Sequence, residues 1–168
     1  MSVGDGHDPR ETMPAEEVGQ LLPVRRLFAS SPDAMIVLTD LIAYTSGFRF
    51  TIRCRTAPRV PRRGANTMYV QGGDHDHVLR IGLRWSDGTK LTSVDEQCGI
   101  STGGAGLWPI ENAPSGQLWW TWPLPPEGPL QVVCEWPVAG IPVTAIDLDG
   151  SAIRAAGLRS APPPPIHP

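Results

Sequence analysis

The chain has 168 residues, with 18 Gly and 19 Pro; this Gly and Pro content is roughly double ordinary usage and excludes a mostly helical protein. Leu, Ile, Val and Phe sum to about 23% of the chain, just above the level at which a chain stops building a core, so the six Trp must help to fill it. The net charge of −3, with 13 Arg and a single Lys, excludes the basic excess of a nucleic-acid binder. No run reaches the roughly 18 apolar residues of a helical membrane span.

Charge is unevenly placed. Residues 1–40 hold three Arg against seven acids, residues 41–84 hold eight Arg against Asp74 and Asp76, and residues 85–168 hold three bases against eight acids. A basic middle between acidic ends either meets an anionic partner or is neutralised within the fold. The preference for Arg over Lys suits planar, bidentate contacts; it is equally what a GC-rich genome encodes.

In chain order, residues 1–22 are polar and acidic and read as a tail, with room for a short helix around Ala15–Leu22. Strands are expected over Val24–Ser30 and Ala34–Tyr44, with Ser31, Pro32 and Asp33 turning between them. Gly47–Thr56 alternates with period two: Phe48, Phe50, Ile52 and Cys54 fall on one face, Arg49, Thr51, Arg53 and Arg55 on the other. A long irregular stretch follows, Ala57–His77, in which Asn66–Val70 is a weak strand candidate. Val78–Trp85 alternates again, with Leu79, Ile81, Leu83 and Trp85 opposite Arg80, Gly82 and Arg84. Ser86, Asp87 and Gly88 turn the chain into a hairpin partner at Thr89–Ser93. A second irregular stretch covers Val94–Gly116; loops of this length without internal structure are usually either functional or disordered.

Leu118, Trp120, Trp122 and Leu124 then alternate with Trp119, Thr121 and Pro123, and the first set reads as inward. After the turn Pro125–Pro129, Leu130, Val132, Cys134 and Trp136 alternate with Gln131, Val133 and Glu135. Pro137–Pro142 turns into a last strand, Val143–Leu148, and Asp149 is placed to cap a helix from Ser151 to about Leu158. Residues 161–168 are Pro-rich and read as either polyproline II-like or disordered. The expectation is a tail at 1–22, one domain at 23–160 and a tail at 161–168. The fold class is all-β, an antiparallel β-sandwich or jelly roll of about eight strands with one short C-terminal helix.

Three blocks carry a resemblance. Gly47-Phe48-Arg49-Phe50-Thr51-Ile52, the run Trp122-Pro123-Leu124-Pro125-Pro126-Glu127-Gly128-Pro129-Leu130, and Cys134-Glu135-Trp136-Pro137 followed by Gly140-Ile141-Pro142-Val143-Thr144 resemble short actinobacterial proteins of unknown function. The resemblance covers about residues 24–158 and implies a shared domain. It implies no activity, ligand or catalytic residue.

The candidate sites are few. Asp74-His75-Asp76-His77 is the most metal-like segment, but two His on one face need a third ligand, and a solvated loop explains the run as well. Asp147-Leu148-Asp149-Gly150 opens like a calcium loop, yet its twelfth position is Leu158 rather than Glu. There is no Gly-x-Ser-x-Gly, and Gly103–Gly106 lacks the Lys and Ser/Thr of a phosphate loop. The three Cys, with no CxxC spacing, fit neither a zinc ribbon nor a disulfide framework. Cys54 and Cys134 have core parity, and Cys98 lies in a loop. With no apolar stretch after a basic start, the expected setting is cytoplasmic, with free thiols. No metal or cofactor is expected.

Two surface features remain. Arg49, Arg53, Arg55, Arg80 and Arg84 form polar strand sides, suited either to internal neutralisation or to an acidic protein partner. Trp119, with outward parity, and Trp108, in the second long loop, are positioned to stack on a sugar or a partner. The sequence therefore reads as a non-catalytic intracellular interaction or accessory module, with the five Arg and two Trp as its partner-binding residues. Carbohydrate binding through the Trp pair is the alternative and a hydrolase the third reading; a homo-oligomer stays open, while nucleic acid and membrane are not expected.

Overall fold

The computed structural model describes residues 10, 12–60, 75–93, 104–113 and 116–160. Among these, nine strands form two antiparallel sheets. They are β1 (Gln20–Ser30), β2 (Ala34–Ala43), β3 (Phe48–Thr56), β4 (Arg80–Arg84), β5 (Lys90–Thr92), β6 (Gly106–Ala113), β7 (Gly116–Trp122), β8 (Pro129–Trp136) and β9 (Ile141–Asp149), followed by helix α1 (Gly150–Leu158). The first sheet has the order β1-β2-β3-β7-β6 and the second β5-β4-β8-β9. The chain builds a three-strand meander, crosses to β4–β5, returns for the β6–β7 hairpin and crosses again for β8–β9. The apolar faces of the two sheets meet in one core that includes Ile36, Leu38, Phe48, Phe50 and Ile52 from the first sheet and Ile81, Leu83, Leu130, Val132 and Trp136 from the second. This is an all-β sandwich with one short C-terminal helix.

Alternation explains most strands directly. In β3 the apolar residues Phe48, Phe50 and Ile52 are buried and Arg53 and Arg55 exposed. In β2 the inward residues run Ala34, Ile36 and Leu38, then Leu41 and Ala43, so the parity slips by one. The slip is a bulge: register shifts between Thr39 and Ile42, and Asp40 takes φ 54°, a left-handed conformation that Asp tolerates better than most residues. Along the edge where the sheets meet, the Arg26 guanidinium donates to the Asp147 carbonyl of β9 at 2.7 Å. Asp149 caps α1 as its sequence implies, accepting from the Ala152 N–H at 3.0 Å. Gly157 lets that helix lie close, since a Cβ there would stand 2.6 Å from both Leu124 and the Tyr44 carbonyl.

Four expectations need correction. First, the inward face of β7 is Gln117, Trp119 and Thr121, opposite Ile52, Phe50 and Phe48 of β3. Trp119 is 2% exposed within the core between the sheets. Trp120 lies on the outer face, where Tyr44 packs edge-on at 5.8 Å and the Arg10 carbonyl accepts its indole N–H at 2.8 Å. Trp122, also outward, is only half-buried. Because both faces of β7 are covered, alternation carries no sign of which is inward. Second, the stretch 94–116 is not wholly irregular: it holds β6, an edge strand that accommodates Pro109 beside a register shift. Third, a helix around Ala15–Leu22 does not form, and the first sheet begins at Gln20. Glu17 anchors the segment before it, accepting from the Thr45 N–H at 2.9 Å, the Thr45 hydroxyl and the Ser160 hydroxyl. Fourth, the five arginines do not make one basic face, since β3 and β4 belong to different sheets. Cys98 and the Asn66–Val70 candidate lie outside the described residues.

Candidate interaction face

The five arginines do not share a surface. Arg49, Arg53 and Arg55 stand on β3 in the first sheet, Arg80 and Arg84 on β4 in the second. Each set points away from the common core, so they occupy opposite faces of the sandwich. The pairing supplies the reason: β3 has β2 and β7 as neighbours, and β4 has β5 and β8.

The two faces are neutralised differently. On the second sheet Arg80 is directly opposite Glu135 of β8; its guanidinium lies 2.9 Å from the Glu135 carboxylate and 3.9 Å from that of Asp76. Here the acidic C-terminal third neutralises the basic middle. Arg84 faces Gln131 on one side and Lys90 on the other. On the first sheet the balance is different. Among the described residues Arg53 has one weak partner, the Asp40 carboxylate at 3.6 Å, which the β2 bulge turns outward. Arg49 is half-buried between Ile42 and Trp120, its register neighbours.

Around Arg53 the register builds a patterned surface. Leu27 of β1, Val37 of β2 and Arg53 lie in one row; Ser30, Met35 and Arg55 form the next, and Arg25, Thr39 and Thr51 the row on the other side. Leu27 is 59% and Met35 40% exposed, large values for apolar side chains on a sheet. A depression of about 420 Å³ runs across these rows, lined by Arg25, Met35, Val37, Asp40, Arg53 and Arg55, among others. Three guanidinium groups and one carboxylate thus bracket an apolar strip.

The remaining candidates separate. Trp108 is half-buried on the outer face of β6, opposite Trp120, while Trp119 faces inward. The two residues expected to stack together on a sugar therefore lie on opposite sides of one sheet, and Trp119 has no surface to offer. His75–His77 form a single 3-10 turn, and the His77 carbonyl accepts the buried Trp136 indole N–H at 3.1 Å. Among the described residues no group of three or more His, Cys, Asp or Glu is arranged to hold a metal, and no helix is long and apolar enough to cross a membrane. Cys54 and Cys134 are free thiols. Burial pushes both up to about 12, and Cys134 also responds to the charge of Cys54 nearby. The exposed apolar strip on β1 and β2 escapes a reading of the sequence, because the Arg25–Leu27 and Met35–Val37 patterns come side by side only through the strand register.

No family model, curated protein or solved structure matches the chain.

Proposed function

We propose that the protein is a non-catalytic interaction module whose outer β1–β2–β3 face binds an acidic, amphipathic segment of a protein partner. The observation that supports this reading most is the pairing of chemistries in one depression. Met35 and Val37 give it an apolar strip, which Leu27 extends beside it in the Val37 row, and Arg25, Arg53 and Arg55 flank the strip with Asp40 as the one carboxylate in the lining. An acidic segment with apolar residues on one side complements both. Arg80 and Arg84, on the opposite face, are outside this site. The proposed setting is the cytoplasm, where the Cys54 and Cys134 thiols stay reduced.

The test uses a labelled synthetic peptide alternating Glu with Leu, followed by fluorescence anisotropy. Saturable binding should weaken at least tenfold in the Arg53→Glu/Arg55→Glu variant and stay unchanged in Arg80→Glu/Arg84→Glu. It should also weaken as salt rises, because exposed charges are screened over about 10 Å at 0.1 M. Equal loss in both double variants, with unchanged melting temperature, would reduce the face to an ordinary charged surface.

A further inference from the structure

The outer face of the first sheet continues onto β6 and β7, where it is aromatic. Trp108 lies directly opposite Trp120, and Trp122 opposite Gly106. Trp108 and Trp122 are therefore diagonal neighbours, about 7–8 Å apart by strand geometry. Both residues are half-buried, and Gly106, opposite Trp122, is buried and sets no side chain beside it.

One residue from outside the sheet is seated here. The Arg10 carbonyl accepts the Trp120 indole N–H at 2.8 Å, and the Arg10 guanidinium carbon lies 5.7 Å from the centre of the Trp122 ring. That is inside the cation–π range of about 6 Å. Gly104, in a left-handed conformation at φ 80°, stands beside both groups; a Cβ there would be 3.6 Å from Arg10 Nη1 and 3.9 Å from the Trp122 ring. The two contacts read different parts of the same residue. An indole N–H in a buried position needs an acceptor, and a peptide carbonyl supplies it. The ring of Trp122 favours a planar, weakly hydrated cation, which a guanidinium is and an ammonium is not. Together they select arginine within a peptide rather than a free cation.

We propose that the Trp108–Trp120–Trp122 surface is a recognition site for an arginine-bearing peptide, filled in the free protein by Arg10 and open to an arginine segment of a second protein that displaces it. Glu17, anchored by Thr45 and Ser160, lies seven positions after Arg10, so six residues tether Arg10 to it. A short tether gives an effective concentration on the order of millimolar, so an outside peptide competes poorly until the internal contact is weakened. The site is separate from the basic β1–β3 face and does not rest on it.

The experiment uses the full chain and a fluorescein-labelled peptide with the sequence of residues 6–14, Gly-His-Asp-Pro-Arg-Glu-Thr-Met-Pro. The Arg10→Ala variant should bind this peptide at least tenfold more tightly than the parent protein. Replacing the peptide arginine by lysine or citrulline should remove most of that gain. Adding Trp122→Leu to Arg10→Ala should abolish it, and Arg53→Glu/Arg55→Glu should leave it intact. The proposal is overturned if the variant binds no better than the parent, or if the arginine, lysine and citrulline peptides bind alike. Those peptide comparisons need only the Arg10→Ala protein, so they decide the question even where Trp122→Leu perturbs folding.

Discussion

Trp119 and Trp122 lie three positions apart on one strand and face opposite environments. Trp119→Ala empties a site between the sheets and should cost about 3–5 kcal/mol. Trp122→Ala removes a half-buried ring from the outer face and should cost well under half as much. Urea unfolding of both variants checks this; equal losses would contradict the β7 register. Gln117 is a sharper case. It is 1% exposed, and neither its amide nitrogen nor its oxygen has a hydrogen-bond partner among the described residues. An unsatisfied buried polar group costs about 1–3 kcal/mol. Gln117→Leu should therefore leave stability unchanged or raise it, and a clear drop in the urea midpoint would show that the amide is satisfied after all.

At the scale of elements, legibility follows from how many faces of a strand are covered. β3 shows its inward side in the sequence because Arg53 and Arg55 stay in water while Phe48, Phe50 and Ile52 do not. β7 hides it because Tyr44 and the Arg10 segment bury Trp120 on the outside. β6 hides its existence as well: as an edge strand it keeps a Pro and a register shift that a central strand would reject. Helix α1 is fully readable, since a cap is a local hydrogen bond and needs no tertiary partner. Asp149→Ala removes that bond and should cost about 1 kcal/mol, measured as a fall in the denaturation midpoint. No change would mean that the end of α1 is held by β9 and not by its cap.

At the scale of the whole molecule, pH acts on both ends of the range. Burial works to raise the Glu17 carboxyl, but the Thr45 and Ser160 hydrogen bonds outweigh it and hold its pKa below the ordinary 4.5. A lowered folded-state pKa contributes stability that is complete above the unfolded value and is lost as pH falls through the folded one. Glu17→Gln should therefore flatten the acid limb of a melting-temperature profile below about pH 4.5. The thiols act with the opposite sign. Cys54 and Cys134 rise from 9.0 to about 12, so their contribution is whole below pH 9 and is lost between pH 9 and 12. A Cys54→Ala/Cys134→Ala variant should lose less stability than the parent over that interval, and parallel profiles would contradict the burial of the thiols. The candidate face shows the same limit of legibility as β7. Each Arg row is visible on its own strand, but charge along a strand says nothing about which sheet the strand joins. Only the register shows that Arg53 and Arg55 flank Leu27, Val37 and Met35 while Arg80 is matched by Glu135. That the β1–β2–β3 face is the binding surface is tested most directly by an amide chemical-shift titration of isotope-labelled protein with the Glu–Leu peptide. Shifts should concentrate in Arg25–Leu27, Met35–Asp40 and Thr51–Arg55 and vanish in Arg53→Glu/Arg55→Glu. Shifts centred on β4 and β8, or spread evenly over both faces, would contradict it.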